Sequence, residues 1–204
     1  MPDSHSTLAD KIGQRIASNI TAAQELAGQS GDIAQMAELL IKTYQAGNKI
    51  LLFGNGGSAA DAQHIATELV GRFLKERKPL PALALTVDTS ALTAIGNDYG
   101  FDQIFARQLE ALGQAGDVAF AITTSGNSPN IIAAVRMAKQ MDLVTIGLTG
   151  RGGGRLKTET DYCICVPADT SPRIQEMHIL VGHILCELIE DALFADNAAS
   201  SQPN

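Results

Sequence analysis

The chain has 204 residues, 45% hydrophobic and only 4% aromatic, with 15 Lys and Arg against 22 Asp and Glu for a formal net charge of −7. Such a length buries a full core in one domain, and the Ala-, Leu- and Ile-rich composition suits an α/β protein. The acidic balance, with no basic run, excludes a protein that holds nucleic acid by its phosphates. No apolar run is long enough to span a membrane, and Met-Pro-Asp-Ser-His does not open a signal peptide.

From Ser6 to Ala46 the pattern predicts two helices. Leu8, Ile12, Ile16 and Ile20 recur at helical spacing, as do Ile33, Met36, Leu39, Leu40 and Tyr44. Gly28-Gln-Ser-Gly31 divides them, with Asp32 expected as the N-cap of the second. Such a hairpin either covers the sheet or joins subunits, and its apolar faces alone do not choose. From Lys49 strands are predicted at Ile50–Phe53, Ala82–Thr86, Val118–Ile122, Val144–Leu148 and Cys163–Val166. Helical segments lie between most of them, and a long helix at Ile174–Leu193 comes after the last. Short apolar strands joined by crossover helices imply a parallel, doubly wound sheet. The expected organisation is one domain over 1–204, with the hairpin at 6–46, the α/β core at 49–194 and a frayed tail at 195–204.

The three cysteines form no CxxC. Cys163 and Cys165 alternate on the last strand and Cys186 sits in an apolar helix. They read as core thiols of a protein kept in a reducing cytoplasm, rather than ligands or disulfides.

The first strand runs into Gly54-Asn-Gly-Gly-Ser58 and then an Ala-rich helix. A strand that feeds a glycine-rich turn into a helix N-terminus makes an anion site, because backbone N–H groups point outward under the helix dipole. Neither GxGxxG nor a Lys-Ser/Thr pair is present, so this is not a nucleotide fingerprint. His64 and Glu68 stand four apart on the new helix and share one face. The third strand ends in Thr123-Thr124-Ser125-Gly126-Asn127-Ser128-Pro129. Pro129 suits the first helical position and Ser128 the N-cap, but the three preceding hydroxyls exceed what capping needs and point to a phosphate cup. A strand order of 2-1-3-4-5 would set Gly54–Ser58 opposite Thr123–Ser128 at the switch point. Gly150-Arg-Gly-Gly-Gly-Arg155 lies one strand away and reads as a mobile turn. In the loop expected at Ala94–Gly100, Asn97 and Asp98 either cap the segment Phe101–Leu112 or accept sugar hydroxyls.

On the last helix Gln175 and His183 are eight apart, offset by about 80° and roughly 12 Å along an ideal helix. Two long side chains could meet one ion across that span. Together with His64 and Glu68 they make a set of N and O donors suited to zinc or a similar divalent ion. His178 points to another sector and reads as a hydrogen-bonded structural histidine.

Gly54-Asn-Gly-Gly-Ser58, Asp61-Ala-Gln-His64, Glu68, Gly71-Arg72, Gly96-Asn-Asp98, Thr124-Ser-Gly-Asn-Ser128, Arg173-Ile-Gln-Glu176 and His183 together resemble the bacterial phosphoheptose isomerases of the sugar isomerase (SIS) domain family. The resemblance runs from the N-terminal helices to about Phe194. It implies a flavodoxin-like five-stranded sheet and a homotetramer with active sites shared between subunits. It also implies isomerisation of sedoheptulose 7-phosphate to D-glycero-D-manno-heptose 7-phosphate for lipopolysaccharide heptose. On the family pattern His64, Glu68, Gln175 and His183 are zinc ligands, one Zn2+ per subunit, and Glu68 and His183 the acid/base pair. Asn55, Gly56, Gly57, Ser58, Glu68, Asn97, Asp98, Thr123, Thr124, Ser125, Ser128 and Gln175 are expected at the substrate. Thr123 stands where serine is expected, and the hydroxyl survives. The rival reading is a relative of the same fold that binds the replication initiator protein without isomerising anything; a sugar-phosphate sensor is a third.

Overall fold

The computed structural model describes residues 7–195. The expected tail therefore falls, apart from Ala195, outside the described residues.

Helix α1 (Leu8–Leu26) opens on a reciprocal cap. Thr7 Oγ1 accepts from the Asp10 amide at 3.1 Å, and the Asp10 carboxylate accepts from the Thr7 amide at 2.9 Å. A 3-10 turn, Ala27–Gln29, leads directly into α2 (Ser30–Gln45). Asp32 is thus no N-cap. The helical path continues through the two glycines with only a 3-10 turn between the helices, which leaves Asp32 in the first turn of α2, where the dipole favours its charge.

The sheet is built from five strands: β1 (Ile50–Gly54), β2 (Ala82–Ala84), β3 (Val118–Ile122), β4 (Val144–Thr149) and β5 (Tyr162–Cys165). All are parallel, as the sequence pattern predicts, and their order is β2-β1-β3-β4-β5, the one that sets Gly54–Ser58 opposite Thr123–Ser128. The helices between them are α3 (Gly57–Val70), α4 (Thr89–Tyr99), α5 (Ala106–Leu112), α6 (Pro129–Gln140) and the short α7 (Leu156–Glu159), and α8 (Ser171–Leu193) comes after β5. Strands β1 and β3 are buried on both faces, which is why they read as unbroken apolar runs.

One face of the sheet carries Leu52, Phe120, Ile146 and Ile164 against α2, α3 and α8; the other carries Phe53, Ala119 and Ala121 against α5 and α6. Two expectations fail locally. The segment expected as a loop around Asn97 and Asp98 is the C-terminal half of α4. That helix starts at Asp88, whose carboxylate accepts from the Ala91 amide at 2.9 Å, and stops at Gly100 with φ +87°. Asn97 and Asp98, still inside α4, therefore cannot cap the segment Phe101–Leu112. Cys163 and Cys165 are only half-buried, and Cys186 alone of the three thiols is in the core.

Candidate active site

Two loops face each other where β1 and β3 part. Gly56 has φ +56°, a conformation that favours glycine, and it starts α3. A Cβ on Gly54 would stand 2.6 Å from the Ser58 carbonyl and 2.8 Å from that of Ile122, so this turn closes only around a bare Cα. Across the gap, Ser128 is the N-cap residue of α6 and Pro129 its first residue, as expected. The Ser128 hydroxyl, however, lies 3.3 Å from Thr123 Oγ1 rather than on a helix amide. Thr123 is buried, Thr124 and Ser128 are half-buried and Ser125 is exposed, so the hydroxyls line a cup at the mouth of α6.

Reciprocal amide bonds join the two loops: Asn55 Nδ2 donates to Asn130 Oδ1 at 2.9 Å and Asn130 Nδ2 to Asn55 Oδ1 at 2.8 Å. Sequence reasoning misses Asn130, because one polar residue inside a predicted helix carries no local signal. Ser58 is 2% exposed, with its amide donating to the Asn55 carbonyl at 3.0 Å. The Gly150–Arg155 turn is not free. Gly150 N donates to the Thr124 carbonyl at 3.2 Å, Arg155 N to Asn127 Oδ1 at 3.1 Å, and Leu156 N to the Gly126 carbonyl at 2.9 Å. The turn buttresses the cup from behind.

Beside the cup, α3 and α8 bring three donors together. His64 Nε2 lies 3.1 Å from Glu68 Oε1 and 3.3 Å from His183 Nε2. One ligand atom from each of the three falls within 4.8 Å of the others. Two imidazoles and a carboxylate at this separation fit zinc chemistry. The Gln175 amide packs at the mouth of α3, where a Cβ on Gly57 would run into its Nε2. Phe73 lies against His183 with ring centroids 5.5 Å apart, a contact hidden in sequence by the irregular stretch that carries it. All of these groups come from one chain.

Asp61, one turn before His64, is half-buried with Oδ2 unpartnered, and burial raises its carboxyl to about 6, the charge of His64 opposing. Asn97 and Asp98 are exposed and bonded to each other at 2.8 Å. Within the chain they make no hydrogen bond to the cup or the histidines. His178 is completely buried but meets no hydrogen-bond partner, against expectation. Burial lowers it to about 4 and keeps the ring neutral.

The SIS domain family model matches residues 14–150. The phosphoheptose isomerase of Akkermansia muciniphila is 54% identical over 179 residues, 88% of this chain and 93% of that protein. The solved phosphoheptose isomerase of Neisseria gonorrhoeae superimposes with a TM-score of 0.86 at 47% identity, over 91% of this chain and all of the other. The Francisella tularensis phosphoheptose isomerase gives 0.88 at 43% identity, over 91% and 100%.

Proposed function

We infer the function of this chain from its family, for it belongs to the SIS domain proteins and stands among their phosphoheptose isomerases. It is an aldose–ketose isomerase that converts sedoheptulose 7-phosphate to D-glycero-D-manno-heptose 7-phosphate, a precursor of lipopolysaccharide heptose. The observation that carries this reading is the convergence of His64, Glu68 and His183 beside a hydroxyl-lined cup at the switch point.

The reaction moves a carbonyl from C2 to C1. A proton leaves C1, an enediol forms, and a proton returns to C2, with no net change in protons or electrons. Glu68 is the base at carbon, and His183 the acid that moves a proton between the two substrate oxygens. The hydroxyls of Thr123, Thr124, Ser125 and Ser128 hold the phosphate at the N-terminus of α6, where the dipole favours the anion. Asn55, Gly56, Gly57, Ser58, Asn97, Asp98 and Gln175 orient the sugar. His64, Glu68, Gln175 and His183 would hold one zinc ion per subunit, which when bound polarises the substrate oxygens and stabilises charge on them.

The protein works as a single-domain homotetramer in the cytoplasm. The stripe of α1 supports assembly: Leu8, Ile12, Ile16 and Ile20 are 51–78% exposed in the lone chain. No described helix is long and apolar enough to cross a membrane. The initiator-binding alternative is not favoured, since the acid/base pair stays convergent with His64 and the named relatives are isomerases.

Incubation with sedoheptulose 7-phosphate in deuterated water should give the aldoheptose 7-phosphate with deuterium at C2. Glu68→Gln should bind the substrate yet lose product and label by roughly 10²–10⁴-fold. Absence of product from the assembled, zinc-supplied protein, with binding intact, would overturn the isomerase reading.

A further inference from the structure

The edge strand β5 carries two thiols that isomerisation does not use. Cys163 and Cys165 are two residues apart, so their side chains leave the strand on the same face. That face lies under α7 and the glycine turn. A Cβ on Gly147 would stand 3.2 Å from Cys163 Sγ, and one on Gly153 would stand 3.1 Å from Cys165 Sγ and 2.8 Å from the Lys157 stem. Two bare glycines thus leave room for two half-buried thiols and a lysine.

The thiols act on each other. Its neighbour Cys163 lowers the Cys165 thiol to about 7 against the opposing effect of burial, with the Lys157 charge assisting. The nearby Cys165, together with burial, raises Cys163. Near neutral pH the pair offers one thiolate and one thiol.

We propose that Cys163 and Cys165 form a two-coordinate site for a soft monovalent cation, Cu+ or its analogue Ag+. Spacing favours a bridging ion over a disulfide. Residues i and i+2 of a strand stand about 6.6 Å apart at Cα, near the outer end of the roughly 4.4–6.8 Å range that a disulfide accepts. An ion with two bonds of about 2.3 Å, the length of a zinc–thiolate bond, lets the sulfurs stand up to about 4.6 Å apart. Donor number selects the ion. Among the described residues, the one cluster of three or more His, Cys, Asp or Glu is His64, Glu68 and His183, so no third such donor joins the thiols. A tetrahedral zinc site lacks ligands here, whereas thiolates select Cu+. Binding of Cu+ by this thiolate and thiol releases one proton and leaves copper at +1. The complex then carries one negative charge, and Lys157 lies alongside to balance it.

The test is anaerobic titration with Cu+ against a coloured Cu+ chelator, with excess zinc present to occupy the histidine cluster. Wild type and Cys186→Ser should each withdraw one Cu+ per chain, and Cys163→Ser and Cys165→Ser none, with all four melting alike. Copper-edge X-ray absorption on the loaded wild type should show two sulfur neighbours and no nitrogen, and it decides the matter even if a serine variant unfolds. Undiminished copper uptake by both serine variants, nitrogen neighbours at copper, or wild-type thiols that close to a disulfide without taking up copper would each overturn the proposal.

Discussion

Arg77 Nε donates to Glu190 Oε1 at 2.7 Å, and the two side chains are 0% and 1% exposed. The same carboxylate accepts from the amides of Phe73, Leu74 and Lys75 at 2.8, 2.8 and 3.0 Å. The guanidinium also donates to the carbonyls of Glu68 at 2.7 Å and Leu69 at 2.8 Å. The segment after α3 is thereby fastened to α8, and Phe73 is set against His183.

Removing one partner leaves the other charge buried and unmatched. Arg77→Met is expected to cost about 3–5 kcal/mol, read as a fall in denaturation midpoint. The double variant Arg77→Met/Glu190→Gln should recover part of that loss. Burial raises the Glu190 carboxyl, but the three amides and Arg77 outweigh it and leave it below its usual value of 4.5. A depressed carboxyl stabilises the fold above the unfolded pKa, and the contribution is lost as pH falls through the folded value. The variant's deficit should therefore shrink in acid below about pH 4.

His178 makes a second pH-dependent contribution. Its folded value is about 4 against 6.5 for a free histidine, so between those limits the unfolded chain binds the extra proton. Stability should be complete above pH 6.5 and fall as the pH drops toward 4, by about 3 kcal/mol at the limit. In denaturant titrations the stability of His178→Met relative to wild type should rise by about 3 kcal/mol as the pH falls across this window. Parallel pH profiles would show that the ring is protonated in the fold.

Much of this was legible in the sequence, because hydrophobic period and turn chemistry report locally. The parallel sheet, the glycine turn at Gly54–Ser58 that opens α3 and the shared face of His64 and Glu68 follow from spacing alone. The placement of Asn97 and Asp98 does not, because α4 is defined by a cap at Asp88 and a stop at Gly100 rather than by a buried stripe; none of its residues is buried. Asn130, Phe73 and the Arg77–Glu190 lock are invisible for another reason. Each acts through a partner far along the chain, and no local pattern announces such a pairing. The exposed stripe of α1 reads in sequence as either sheet cover or subunit contact, because periodicity marks a face that wants cover without saying what covers it.

His64, Glu68 and His183 converge within one chain, and this sets an expectation for hybrids. Elemental analysis should find about one zinc per chain in wild type and little in His64→Ala. Tetramers mixed from Glu68→Gln and His183→Ala subunits should stay inactive, since every cluster in them lacks a member. Asp98 is exposed and away from its own chain's cup and histidines; if it serves a neighbour's site, Glu68→Gln mixed with Asp98→Asn should regain activity. Recovery in the first mixture would contradict the one-chain cluster, and none in the second would place Asp98 at its own site.

Gly182 is buried on α8 beside His183, and a Cβ there would stand 2.6 Å from Ile65 Cδ1 and 2.8 Å from Ile65 Cγ1 on α3, the residue after His64. This bare contact sets how closely the two helices approach, and so the 3.3 Å between the histidine nitrogens. Gly182→Ala improves helix propensity by up to about 1 kcal/mol. The overlap with Ile65 works against that gain by roughly 1–3 kcal/mol, as overpacking of a tight core does. Stability should thus change modestly while the cluster is pried apart, so zinc affinity and turnover should fall much further than the melting temperature. Trimming the obstacle in Gly182→Ala/Ile65→Ala removes both the Cδ1 and the Cγ1 atom and should restore zinc affinity more than stability, because Ile65→Ala itself leaves a cavity. The double-mutant cycle on zinc affinity should show a coupling of about 0.5–3 kcal/mol. Additive effects on affinity would mean that Gly182 and Ile65 do not set the spacing of His64 and His183.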